Sequence, residues 1–127
     1  IEIMINIISI AIGGAFGSLC RHGMSNGIYI LLGKGFPYGT LAVNILGSII
    51  MGSVYVLMVE RAVISEELRA GITIGLLGAF TTFSTFSIET LNLIESGEIV
   101  KAGLNVFLSV VLCISACWIG LIVTRQL

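Results

Sequence analysis

Charge is scarce in this chain: only 10% of its 127 residues are Asp, Glu, Lys or Arg, and aspartate is missing altogether. A soluble domain carries about 25% charged residues, and a chain this short cannot hide so much apolar side-chain surface by folding on itself. An ordinary soluble fold is thereby excluded. The few basic residues are scattered and the formal net charge is −1, so the basic stripe that a nucleic-acid binder uses to displace counterions is absent. Three cysteines, Cys20, Cys113 and Cys117, all lie in apolar runs, and an odd number in such a setting gives no disulfide framework. They read as small packing residues. No nucleophile–base pair, metal-ligand cluster or phosphate-binding loop is present, and the single histidine, His22, sits beside Arg21. Enzymatic catalysis has no residues to run on. The first apolar run also lacks a basic leader and a small-residue cleavage site, which argues against a removed signal peptide.

What the chain has instead is apolar length. Hydrophobic residues make up 57% of it and mean hydropathy is +1.12, a composition for which lipid is the solvent. Punctuated at its charges and turn formers, the sequence divides into four segments, 3–32, 40–59, 67–94 and 102–123, each near the ~20 residues that a bilayer core demands. The expected architecture is all-α, a single domain of four transmembrane helices over residues 1–127. Gly33 to Gly39, with the only proline at Pro37, reads as a turn. Ser65 followed by Glu66 and Glu67 reads as the start of the third helix. Gly13-x-x-x-Gly17, Gly71-x-x-x-Gly75, and Gly47 with Gly52 are spaced for close helix packing.

Four spans put both termini on one side, where Arg61, Arg69 and Arg125 lie; Lys34 and Lys101 lie on the other, joined by Arg21 if it faces that way, so the count is near-balanced. Without a positive-inside bias, the chain is expected to insert both ways and to pair antiparallel about a two-fold axis in the membrane plane.

Polar residues in hydrocarbon are costly and must face a partner, another helix or a water-filled path. Thr40, Asn44 and Ser48 recur every four residues on one face of the second segment, and Asn105, Ser109 and Cys113 do so on the fourth. The third segment carries Thr81, Thr82, Ser84, Thr85 and Ser87 interleaved with Phe80, Phe83 and Phe86. One reading is that these hydroxyls bond back to their own helices and Asn44 joins two helices. The other is that so many weak helix formers break the third helix at its centre, with Gly78 giving the flexibility, and line an ion path. No carboxylate enters this stretch before Glu89, so hydroxyl and amide donors and positive ring edges dominate, which suits an anion. Arg21 and Glu89 are the charges nearest membrane depth and are functional candidates.

The runs Gly39-Thr40-Leu41-Ala42-Val43-Asn44 and Gly75-x-x-Gly78-x-x-Thr81-Thr82-Phe83-Ser84-Thr85-Phe86-Ser87-x-Glu89-Thr90 resemble the Fluc (CrcB) fluoride channels along the whole chain. That resemblance implies passive fluoride export across the bacterial inner (plasma) membrane by a multi-pass, antiparallel, dual-topology homodimer. It implies that Phe83, Ser84, Thr85 and Phe86 line the path, that Asn44 donates to the ion, that Ser109 continues the track, and that Arg21 draws anions in. It further implies a structural sodium ion, Na+, at the dimer centre, held by the backbone carbonyls of Gly78 and Thr81. Two positions depart from the family pattern: Asn105 where tyrosine is common and Cys113 where serine is common. The alternatives are a small dual-topology multidrug or cation transporter, which needs a carboxylate embedded early in the first helix, and a non-conducting assembly protein.

Overall fold

The computed structural model describes all of residues 1–127. Four helices are long and apolar enough to cross a membrane: Glu2–Leu32, Tyr38–Glu60, Glu66–Glu95 and Ile99–Arg125. At a rise of about 1.5 Å per residue, even the second, at 23 residues, exceeds a hydrocarbon core of about 30 Å. Their ends therefore reach the headgroup region.

Short connections make neighbouring helices antiparallel. The first helix stops at Gly33, whose φ of 81° is open to glycine, and the Gly33 amide donates to the Tyr29 carbonyl at 2.8 Å. Gly97, also at φ 81°, turns the chain between the third and fourth helices. Lys101 Nζ then reaches the Gly35 carbonyl at 3.2 Å and ties the two connections at this end together. At the opposite end Arg61 donates to the carbonyls of Thr124 and Arg125, and Arg125 pairs with Glu60 at 2.6 Å. Arg61 thus adds a charged donor to carbonyls in the last turn of the fourth helix, where cations are favoured. Ser65 occupies the N-cap position with extended backbone, but its hydroxyl makes no capping bond. Glu66 and Glu67 in the first turn supply the favourable dipole contact instead.

The glycine patterns are packing seams. A Cβ at Gly13 would run into the Gly71 carbonyl and the Leu76 amide, one at Gly17 into the Leu76 carbonyl, and one at Gly75 into the Ile10 carbonyl. The two small-residue motifs thus face each other between the first and third helices. Gly52 lies against Cys117, and Gly120 against Ile49, between the second and fourth. Only 20 of 127 residues are buried, which leaves the long apolar faces, including Phe16, Leu19, Phe107 and Trp118, turned outward. Such faces need lipid or another protein surface.

In the third span, helical residues Gly78–Phe80 and Phe83–Glu95 are separated by Thr81 and Thr82. Their dihedrals are extended, φ −89° and ψ 157°, then φ −151° and ψ 118°. The preceding turns, Gly71–Leu77, are wound wider than an α-helix, a feature concentrated at functional positions in helices.

Candidate functional site: a donor-lined cavity at the Thr81–Thr82 step

The three polar stripes meet. A cavity of about 410 Å³ is lined by Asn44 and Ser48 from the second helix, Thr81, Thr82, Phe83 and Phe86 from the third, and Ser109 and Cys113 from the fourth. Met51, Leu77, Val110 and Ile114 supply its apolar wall. Each stripe contributes because a four-residue spacing holds side chains on one helix face, and Gly47, against Thr81 and Phe80, lets the second helix come close.

The centre of the site is one clamp. The Asn44 side chain accepts from the Thr82 amide through Oδ1 at 2.8 Å and donates to the Thr82 carbonyl through Nδ2 at 3.1 Å. The amide nitrogen carries two hydrogens, so one remains for the cavity. Thr82 also caps the following helix: its Oγ1 accepts from the Thr85 amide at 3.1 Å, and its hydroxyl donates to Thr85 Oγ1 at 3.0 Å. These bonds take amides away from carbonyls. In a continuous helix the Thr82 amide would reach the Gly78 carbonyl and the Thr85 amide the Thr81 carbonyl. Here both amides are engaged by side chains, so Gly78 and Thr81 carbonyls leave the helical ladder. The amides at the start of the following helix, beginning at Phe83, precede its first internal bonds and carry the positive end of its dipole.

Not every hydroxyl belongs to the site. Thr81 and Ser87 donate to Leu77 and Phe83 carbonyls, four residues back, as do Ser48 to Asn44 and Thr90 to Phe86. For these residues the side chain serves its own helix. Phe83 and Phe86 form a tilted pair with centroids 5.3 Å apart. Phe83 is nevertheless 78% exposed. Ser84 is also exposed, with its hydroxyl 3.4 Å from Thr82 Oγ1. Ser109 reaches only the Asn105 Oδ1, at 3.5 Å, while Asn105 is 2% exposed and donates to Thr90 Oγ1 at 2.8 Å. Asn105 is therefore committed to joining the third and fourth helices. Arg21 is not brought to the cavity; its Nε is buried without a hydrogen-bond partner.

Sequence reasoning overlooked Tyr29. Its phenol donates to Glu89 Oε2 at 2.6 Å, and the Thr40 hydroxyl donates to the other carboxylate oxygen. Glu89 is thus an acceptor for two helices, beside a second cavity of about 370 Å³ that also includes Asn26, Lys34 and Asn92. The available signal was Asn26 and Tyr29, three residues apart near the end of the first apolar run.

Four helices long and apolar enough to span a bilayer, with polar side chains from three of them gathered at one cavity, define the class as an integral membrane protein. Residues 8–121 match a family model described as CrcB-like protein, Camphor Resistance (CrcB). The chain belongs to the CrcB family. Among its relatives, a protein of Methylococcus capsulatus is 51% identical over 97% of this chain and 54% of its own length. One of Geobacter sulfurreducens is 48% identical over 98% of this chain and all of the relative, and one of Coxiella burnetii is 50% identical over 96% and 99%. Each is named "Fluoride-specific ion channel FluC". The chain spans about half the Methylococcus relative and essentially the whole of the other two. These are channel names, and they lend the multidrug-transporter alternative no support.

Proposed function

We propose that this chain is a fluoride-selective channel of the bacterial inner membrane, conducting the ion passively and exporting it from the cell. The observation that carries this reading is the cavity itself: its polar lining is hydroxyl, amide and thiol, with two phenylalanines and no carboxylate. Fluoride is small and strongly hydrated, and gives up water only to groups that donate in its place. The spare Asn44 hydrogen, the Ser109 hydroxyl, the Phe83 and Phe86 ring edges and the amides opening the following helix are such groups. Ser84 and Thr85 lie in the first turn of the same helix, beside the residues that line the cavity. Arg21 serves at a distance, raising the local concentration of anions.

The working unit in this proposal is an antiparallel homodimer of dual topology. Phe83 lines the cavity yet is 78% exposed, which supports a second copy covering the open side. The third span is read as functionally broken at Thr81–Thr82. The carbonyls of Gly78 and Thr81, no longer needed by those two amides, are hard oxygen donors of the kind Na+ takes. Contributed by both copies across a two-fold axis, they would hold the ion structurally. Bound there, sodium supplies charge compensation to backbone acceptors that hydrocarbon cannot solvate.

Expression in a bacterium stripped of its own fluoride exporters tests the reading in a cell. The chain should restore growth in fluoride medium at low external pH, and failure of the well-expressed protein to do so would count against it.

A further inference from the structure

We propose that Asn44 and Thr82 are positioning residues that create the cation site, by diverting the two amides that would otherwise cover the Gly78 and Thr81 carbonyls. The inference rests on the sodium reading above. It begins with an accounting of backbone groups. A helix running through this stretch would join the Thr82 amide to the Gly78 carbonyl and the Thr85 amide to the Thr81 carbonyl. Asn44 Oδ1 takes the first amide at 2.8 Å and Thr82 Oγ1 takes the second at 3.1 Å. One side chain therefore releases each carbonyl.

Each diversion is also locked. Asn44 holds the Thr82 carbonyl as well as its amide, so the peptide planes on either side of Thr82 cannot rotate without breaking a bond. The Thr82 hydroxyl is fixed in turn by Thr85 Oγ1 at 3.0 Å. The helix is regular over Gly78–Phe80 immediately before the step and resumes at Phe83, so the two flanking segments are placed to rejoin. Without its competitor, an amide regains its ordinary carbonyl and a cation ligand is consumed. Asn44 also lines the anion cavity. One residue thus belongs to both ion environments, and occupancy by the cation and the shape of the anion path are coupled through it.

The test is the thermal melting of the purified, assembled full-length protein in detergent, in sodium chloride against N-methylglucamine chloride at equal ionic strength. Wild type should melt higher in sodium, because a ligand held by the folded state stabilises it. Asn44→Ala and Thr82→Ala should lose that sodium-dependent rise. Thr82→Ser retains the hydroxyl that takes the Thr85 amide, so it should keep the rise. Thr90→Ala, which removes the Asn105 contact in the same helix, should melt lower in both salts and keep the rise. A wild type indifferent to sodium overturns the sodium reading and this inference with it. A wild type that responds, with Asn44→Ala and Thr82→Ala responding equally, leaves the sodium reading standing and overturns the positioning role. Should the alanine variants fail to assemble, an assembled Thr82→Ser without the response overturns it as well.

Discussion

Phe83 is the residue at which the anion reading is most exposed to test. Its ring sits on the cavity beside Phe86 with centroids 5.3 Å apart, and isoleucine keeps bulk while removing the positive ring edge. An edge contact worth about 1 kcal/mol corresponds to roughly a fivefold change in rate. Phe83→Ile should therefore lower fluoride flux by at least about that factor with the protein still assembled, as read by size-exclusion chromatography. Unchanged flux removes the ring-edge argument. Tyr29 invites a different experiment. Tyr29→Phe strips one of two hydroxyl donors from Glu89, which should cost about 1–3 kcal/mol and appear as a lowered melting temperature.

Residue types at the site were legible in the sequence, but their partners were not. The four-residue stripes announced Asn44 and Ser109 as inward-facing. Nothing in the sequence says that the Asn44 amide would grip the backbone 38 positions away, because backbone groups are identical at every position. The same holds for the Gly78 and Thr81 carbonyls, whose proposed sodium-binding role comes only from the resemblance. Asn105 looked like part of a polar track, yet its bond to Thr90 depends on the register of two helices, which no spacing within one helix contains.

At the scale of elements, hydropathy was enough to count four spanning helices. Small-residue spacing was enough to say that some would approach closely, though not which seams would pair. The seams now make a contrasting prediction. At Gly52 a Cβ would meet Cys117 and Leu121 backbone, whereas at Gly103 it meets nothing within 4 Å. Gly52→Leu should destabilise the protein by about 1–3 kcal/mol or more through overpacking. Gly103→Ala should be neutral or stabilise by up to about 1 kcal/mol through reduced backbone freedom. Thermal melting of both variants checks the pair, and equal behaviour would mean that the second and fourth helices do not pack as described.

On the scale of the whole molecule, the proposed pairing rests on the 78% exposure of Phe83, and its proposed antiparallel sense on the balanced loop charges. A topology reporter fused to the C-terminus should register on both sides of the membrane. Registration on one side alone contradicts the antiparallel pairing. The expectation of dual insertion rests only on an absence of charge bias, since a single-chain sequence carries the orientation signal but not the contact that would follow from it.

The most direct measurement of the central claim is fluoride efflux from liposomes containing the purified chain, followed by a fluoride electrode with potassium permeability supplied by valinomycin. Rapid fluoride release that needs no proton gradient, with chloride retained in matched vesicles, is the predicted result. No release beyond that of protein-free liposomes, or equal release of chloride, would contradict the account.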